Sequence, residues 1–253
     1  MRGLLVALLL AALPTVSPDA QRGRGGGGGG QPASPQQAAP VDLTGYWVSV
    51  VSEDWRFRML TPPKGDVAGV PLNADGRKVA DAWDPAKDAA AGEACRAYGA
   101  AGVMRIPGRL HVTWQDERTL KVDTDAGTQT RLLRFAGGAA AAANGAERTW
   151  QGSSVAAWDA VQGENGAPRW GSLRVVTTEL RPGYLRKNGV PYSENTVLTE
   201  YFDLESGPKG STWITITTIV TDPRYLTQEF ITSTDFRKEA DGAKWSPTPC
   251  ATE

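Results

Sequence analysis

Between Arg181 and Asp203 the chain reads RPGYLRKNGVPYSENTVLTEYFD, which crowds charge, aromatic rings and a turn signal between two apolar, strand-like segments. Asn188-Gly189 is the turn signal, since both residue types tolerate the left-handed backbone that tight turns use. Arg186 and Lys187 flank it on one side, Tyr192 and Glu194 on the other. In such a loop the two cations could hold an anionic group, Tyr184 and Tyr192 could stack on a ring, and Glu194 could accept a proton. The plain alternative is a solvated connection whose charges serve solubility.

Carboxylates are the next candidates, because acid–base work in exported enzymes often rests on paired Asp or Glu in a cleft. Glu194, Glu200 and Asp222 are the three that could form such a pair, with Arg186 as an electrostatic partner. Glu200 alternates onto the strand face of Leu198 and Phe202, and Glu179 onto that of Val175 and Thr177. An ionised carboxylate on a buried face needs a partner; in the other register both point to water. Other chemistries drop out. His111 is the one histidine, so a multi-histidine metal site cannot be built, and no metal or cofactor is expected. A Ser-His-Asp triad would need His111 together with a serine of Gly152-Ser153-Ser154-Val155-Ala156, which reads as strand rather than as a nucleophile elbow.

The elements that must hold these groups are short strands. Tyr46 to Val51 and Trp55 to Met59, joined by Ser52-Glu53-Asp54, predict an opening hairpin with Trp55, Phe57 and Met59 on one face and Arg56 and Arg58 on the other. Asn73 predicts the cap of one short helix near residues 73–83. Strand signals then recur at Arg109 to Gln115, Arg118 to Asp123, Thr128 to Phe135, Thr149 to Trp158, Leu173 to Leu180, Thr196 to Leu204 and Thr212 to Val220. Two more short strands are expected within Tyr225 to Phe236. Turns fit Asp116-Glu117, Asp125-Ala126-Gly127 and Gly207 to Gly210. Strands in series without alternating helices predict an all-β fold, an antiparallel barrel or sandwich, and argue against a parallel βαβ sheet. Leu110, Val112 and Trp114 mark one apolar face, and among nine tryptophans Trp114 and Trp213 are candidate walls of a ligand cavity.

The ends of the chain bear on location. Residues 1–20 carry Met1-Arg2 and an apolar stretch, Leu4 to Leu13, too short to span a bilayer, which is the form of a secretory signal; an uncleaved anchor is the alternative. Residues 21–41 are rich in glycine, proline and glutamine and predict a flexible linker. Residues 42–253 then form one β-barrel domain, with the alanine-rich Gly137 to Gly145 as a loop insertion. A formal charge of -1 without a basic stripe argues against nucleic acid as a partner. Cys95 and Cys250 predict a single disulfide in an exported chain, contributing on the order of 4 kcal/mol in the chain-entropy model; two free buried thiols are the alternative.

Asp42-Leu43-Thr44-Gly45-Tyr46-Trp47, the segment Trp150 to Asp159, Leu173 to Thr178, Ser193-Glu194 and Thr217 to Pro223 together resemble a group of uncharacterised exported bacterial proteins over most of the mature chain. The shared strings are D-L-[ST]-G-x-W, W-x-G-x-S-x-x-x-W-[DE], L-x-V-x-T and T-x-x-x-D-P. The resemblance implies a lipocalin-like β-barrel and an exported location, with no agreed activity. Some of the group carry a histidine before the serine of the W-x-G-x-S segment, where this chain has Ser153.

The reading that unites these observations is an exported barrel that binds a small, partly aromatic or anionic molecule at its mouth, with Tyr184, Arg186, Lys187 and Tyr192 at the rim and Trp114 or Trp213 in the wall. The alternative is a carboxylate-dependent hydrolase or lyase acting on a sugar or similar polar metabolite, which needs two of Glu194, Glu200 and Asp222 to converge on one cavity. A third is an interaction module of the envelope, marked by an exposed apolar patch.

Overall fold

Nine strands close into a ring in the order β1 (Gly45–Val50), β11 (Phe230–Glu239), β10 (Thr212–Thr221), β9 (Val197–Ser206), β6 (Pro168–Thr178), β5 (Ser153–Gln162), β4 (Gln129–Phe135), β3 (Thr119–Thr124) and β2 (Arg109–Asp116), which returns to β1. A further pair, β7 (Gly183–Arg186) and β8 (Val190–Tyr192), forms a separate antiparallel hairpin. The computed structural model describes residues 33–136, 147–162 and 168–252. The expected signal segment, the linker as far as residue 32 and the insertion at 137–145 lie outside them. All ring neighbours are antiparallel except β4 and β5. Nine strands cannot alternate direction all the way round, so one parallel pair is obligatory.

The fold is therefore the expected all-β barrel, and its apolar faces turn inward. Val112 opposes Val122 and Trp114 opposes Leu120 on the inner face, while His111 and Thr113 face out. Leu173, Phe202, Ile214 and Phe236 extend the same core around the ring. Toward one end the inner face becomes polar, with Arg131, Ser154, Thr177, Glu200, Thr218 and Thr234 all buried. Side chains fill the interior, as expected of a barrel near this strand number.

Two long connections, 51–108 between β1 and β2 and 179–196 between β6 and β9, leave the ring at this polar end and pack over it as a cap. Val70, Leu72, Ala80, Leu185, Val190 and Tyr192 of the cap join Leu198, Val220 and Phe230 of the ring in a second apolar cluster. The polar belt thus lies between two apolar layers. Cys95 and Cys250 are disulfide-bonded, tying the carboxyl-terminal tail to the cap across 155 residues. At the opposite end of the ring, part of the stretch read as linker is in contact with the barrel: Trp158 Nε1 donates to the Pro35 carbonyl (2.8 Å) and the Gln36 amide to that of Glu117 (3.2 Å).

Two local expectations are corrected. Trp55 to Met59 is not a strand: Trp55–Arg58 is a helical turn, α1. Both edges of β1 are already taken by β2 and β11, so no edge remains for a hairpin partner. The alternation also fails as a guide to burial, because Trp55 and Met59 are exposed and Arg58 is buried. Tyr225 to Phe236 gives one strand, not two, since Leu226 makes only an isolated bridge with Leu72 before β11 begins. The expected helix exists as α2 (Ala74–Ala82), with Asn73 Oδ1 accepting from the Gly76 amide (2.9 Å). It is joined by α3 (Pro85–Ala90), capped by Asp84, and by α4 (Ala100–Val103). No described helix is long and apolar enough to cross a membrane.

Candidate functional site

The 181–203 run is not a solvated rim. Its Asn-Gly turn is present, with Gly189 at φ 81°, but the hairpin it joins is buried along both strands. Its polar side chains are spent on the cap itself. Tyr184 donates to Asp88 (2.7 Å), and burial, then that hydrogen bond, push its phenol well above the ordinary tyrosine range. Tyr192 is fully buried, which raises its phenol too, and its hydroxyl has no partner among the described residues. Asn188 Nδ2 donates to the carbonyls of Pro63 (3.0 Å) and Asp66 (2.9 Å), closing the loop that faces the hairpin.

The three carboxylates are held by three different arrangements. Glu200 is inside the barrel, bound by both Arg131 terminal nitrogens at 2.8 and 2.5 Å. Asp222 accepts from the Ser193 amide (2.7 Å), the Ser193 hydroxyl (2.8 Å) and the Arg224 amide (3.0 Å). Glu194 pairs with the Arg224 guanidinium (2.7 Å) at the surface. None of the three lines a cleft described among these residues. Trp114 packs on Phe135 (5.7 Å between centroids) in the apolar core, whereas Trp213 faces outward near the β9–β10 turn and donates to Ser211 Oγ (2.7 Å). His111 stacks on Tyr46 on the outer wall, 4.1 Å between ring centroids. Among the described residues no group of His, Cys, Asp and Glu could hold a metal ion.

Of the loop residues, Arg186 alone leads to a constellation, and its two companions come from far away in sequence. Arg58 at the end of α1, Arg105 just after α4 and Arg186 at the end of β7 line one cleft with Phe57, Leu60 and Lys187. The three arginines are 7 %, 6 % and 5 % exposed. Arg58 donates to the Arg105 carbonyl (3.0 Å) and pairs with Glu53; Arg105 pairs with Asp54 (2.8 Å). Arg186 donates to the Ala68 carbonyl (2.7 Å), lies 4.0 Å over the Phe57 ring and forms no ion pair among the described residues. Each guanidinium nevertheless keeps one buried nitrogen without a partner: Nη2 of Arg58, Nη1 of Arg105 and Nε of Arg186.

Unpartnered charged donors away from water are costly, and three at one place are not a usual way to stabilise a cap. The electrostatics carry the same strain. Burial, then the neighbouring Arg105, pulls Arg186 down to about 10, and burial pulls Arg58 below the ordinary arginine value as well. The cleft encloses about 30 Å³, room for one or two waters or for a planar or tetrahedral oxyanion. Planar guanidinium forks match carboxylate and phosphate oxygens. Sequence reasoning missed Arg58 and Arg105. Arg58 sits in a stretch whose alternation reads as a solvent-facing strand, and nothing local to Arg105 reports the 47-residue separation across which its carbonyl meets Arg58.

The chain matches no family model, no curated protein and no solved structure.

Proposed function

We propose that this is an exported binding protein whose cap takes up a small oxyanion, a carboxylate or a phosphate group, between Arg58, Arg105 and Arg186. The observation that carries this reading is the set of three buried guanidiniums around one cleft, each with a nitrogen that lacks an acceptor. Export is supported by the apolar amino-terminal stretch and by the Cys95–Cys250 disulfide, a bond typical of oxidising compartments. The strings shared with exported lipocalin-like proteins agree with it. The carboxylate-dependent hydrolase or lyase lacks comparable support, because Glu194, Glu200 and Asp222 are each already engaged.

Calorimetric titration with sodium phosphate, sulfate and acetate tests the reading. At least one anion binds the protein, and Arg186→Gln weakens it about tenfold or more, in line with the loss of a charge-assisted hydrogen bond. Arg105→Lys keeps a cation but removes the fork, and weakens binding by a smaller factor. Arg186 is less basic folded than unfolded, so its charge weighs against the fold below about pH 10 and that burden lifts as pH rises through this value. Affinity for sulfate or acetate, which do not titrate in this range, is flat between about pH 7 and 9 and falls above about 10, where Arg186 loses its proton. Absence of binding by all three anions at millimolar concentration, with the protein folded, overturns the reading.

A further inference from the structure

The cleft is too small for anything beyond an anionic head, yet its outer border is apolar and bare. Trp55, Met59 and Leu60 are 63 %, 58 % and 72 % exposed, and they lie within six residues of one another. Trp55 and Met59 stand four residues apart, on one side of the α1 turn. Leu60 belongs to the cleft lining as well as to this surface. The inner side of the same turn carries Phe57 beneath Arg186 and the buried Arg58. So α1 presents cationic chemistry to the cleft and apolar side chains to solvent, and the two meet at Leu60.

We infer that the bound oxyanion is the head of a single-chain amphiphile, an alkyl carboxylate or alkyl phosphate, whose chain leaves the cleft past Leu60 and lies on Met59 and Trp55. This rests on the oxyanion reading above and deepens it. A head group held by arginines leaves its tail no route into the barrel, whose interior is filled, so the tail must run outward. The exposed apolar surface that continues from the cleft lining at Leu60 is this trio. Large exposed apolar side chains next to an anion cleft are a binding surface for a molecule that carries both characters. An anionic lipid in a bilayer shares this chemistry, and the experiment separates the two sources.

Affinity is measured by calorimetry for acetate, hexanoate, octanoate and decanoate below their micellar concentrations, for inorganic phosphate, and for phosphatidylglycerol vesicles. Affinity rises with chain length, by about two- to fourfold per methylene buried. Trp55→Ser with Met59→Ser flattens that slope, and because both side chains are exposed the variant folds. The slope is the readout, so a change in absolute affinity does not enter. Acetate or phosphate binding with a flat series overturns the amphiphile and leaves the oxyanion site standing. No binding by any member, phosphate included, overturns both. A flat series together with capture by the vesicles sets the trio against a bilayer and overturns the single-chain ligand.

Discussion

Glu200 is a carboxyl group buried inside the barrel, and Arg131 is what holds it there. Both side chains are fully buried, joined by a two-pronged contact, and Arg131 Nη2 also reaches Thr177 Oγ1 at 3.4 Å. Ser154 and Thr177 share a hydrogen bond beside them (2.7 Å), while Arg131 Nε and Thr218 Oγ1 have no partner among the described residues. Such a pair adds little net stability, since desolvation offsets its attraction, but breaking it leaves one charge stranded. Glu200→Ala or Arg131→Ala alone therefore lowers the unfolding free energy by about 3–5 kcal/mol. Arg131→Met with Glu200→Leu loses far less than the sum, as strongly coupled sites do. Urea unfolding of the three variants checks this, and additive losses would refute it. The sequence marks the face of Glu200 through Leu198 and Phe202 but cannot name Arg131, whose strand lies 69 residues away.

The elements that the sequence announced well are those whose signals are local. The turns expected at Asp116-Glu117, Asp125 to Gly127 and Gly207 to Gly210 are found where β2 joins β3, β3 joins β4 and β9 joins β10, places where residue type sets the backbone. The β7–β8 turn at Asn188-Gly189 was equally legible, but the burial of its hairpin was not, because that depends on the 51–108 connection folding over it. Gly189 shows the join: its φ is 81°, and a Cβ there would collide with the Trp83 ring. Gly189→Ala is expected to cost about 3 kcal/mol, combining left-handed strain with overpacking. Chemical denaturation measures the loss, and a cost under about 1 kcal/mol would show that the cap yields more readily than its packing implies. The α1 turn failed in the opposite way: an alternating pattern suggested a strand where β1 had no edge to offer.

At the scale of the molecule, the working parts are gathered at one end, and the disulfide binds that end to the tail. Cys95 lies in a short 3-10 turn packed on β7, and the tail before Cys250 runs beside the β3–β4 turn, with Thr248 N donating to the Asp125 carbonyl (2.8 Å). Replacing both cysteines by serine removes a long covalent loop and lowers stability by about 5 kcal/mol in the chain-entropy account. Thermal unfolding checks it; an unchanged midpoint would mean that the tail is held without the bond. The ring has one thin join of its own. β4 and β5 share three residue pairs, Leu133 to Phe135 with Ser154 to Ala156, whereas β5 and β6 share ten. A wall opens first where fewest backbone bonds hold it. Arg131 stands on one lip of that join and Glu200 on β9, beyond the other lip and the strand behind it. Their contact runs through the lumen like a tie rod through a cask, joining from inside two staves that stand on either side of the weakest seam.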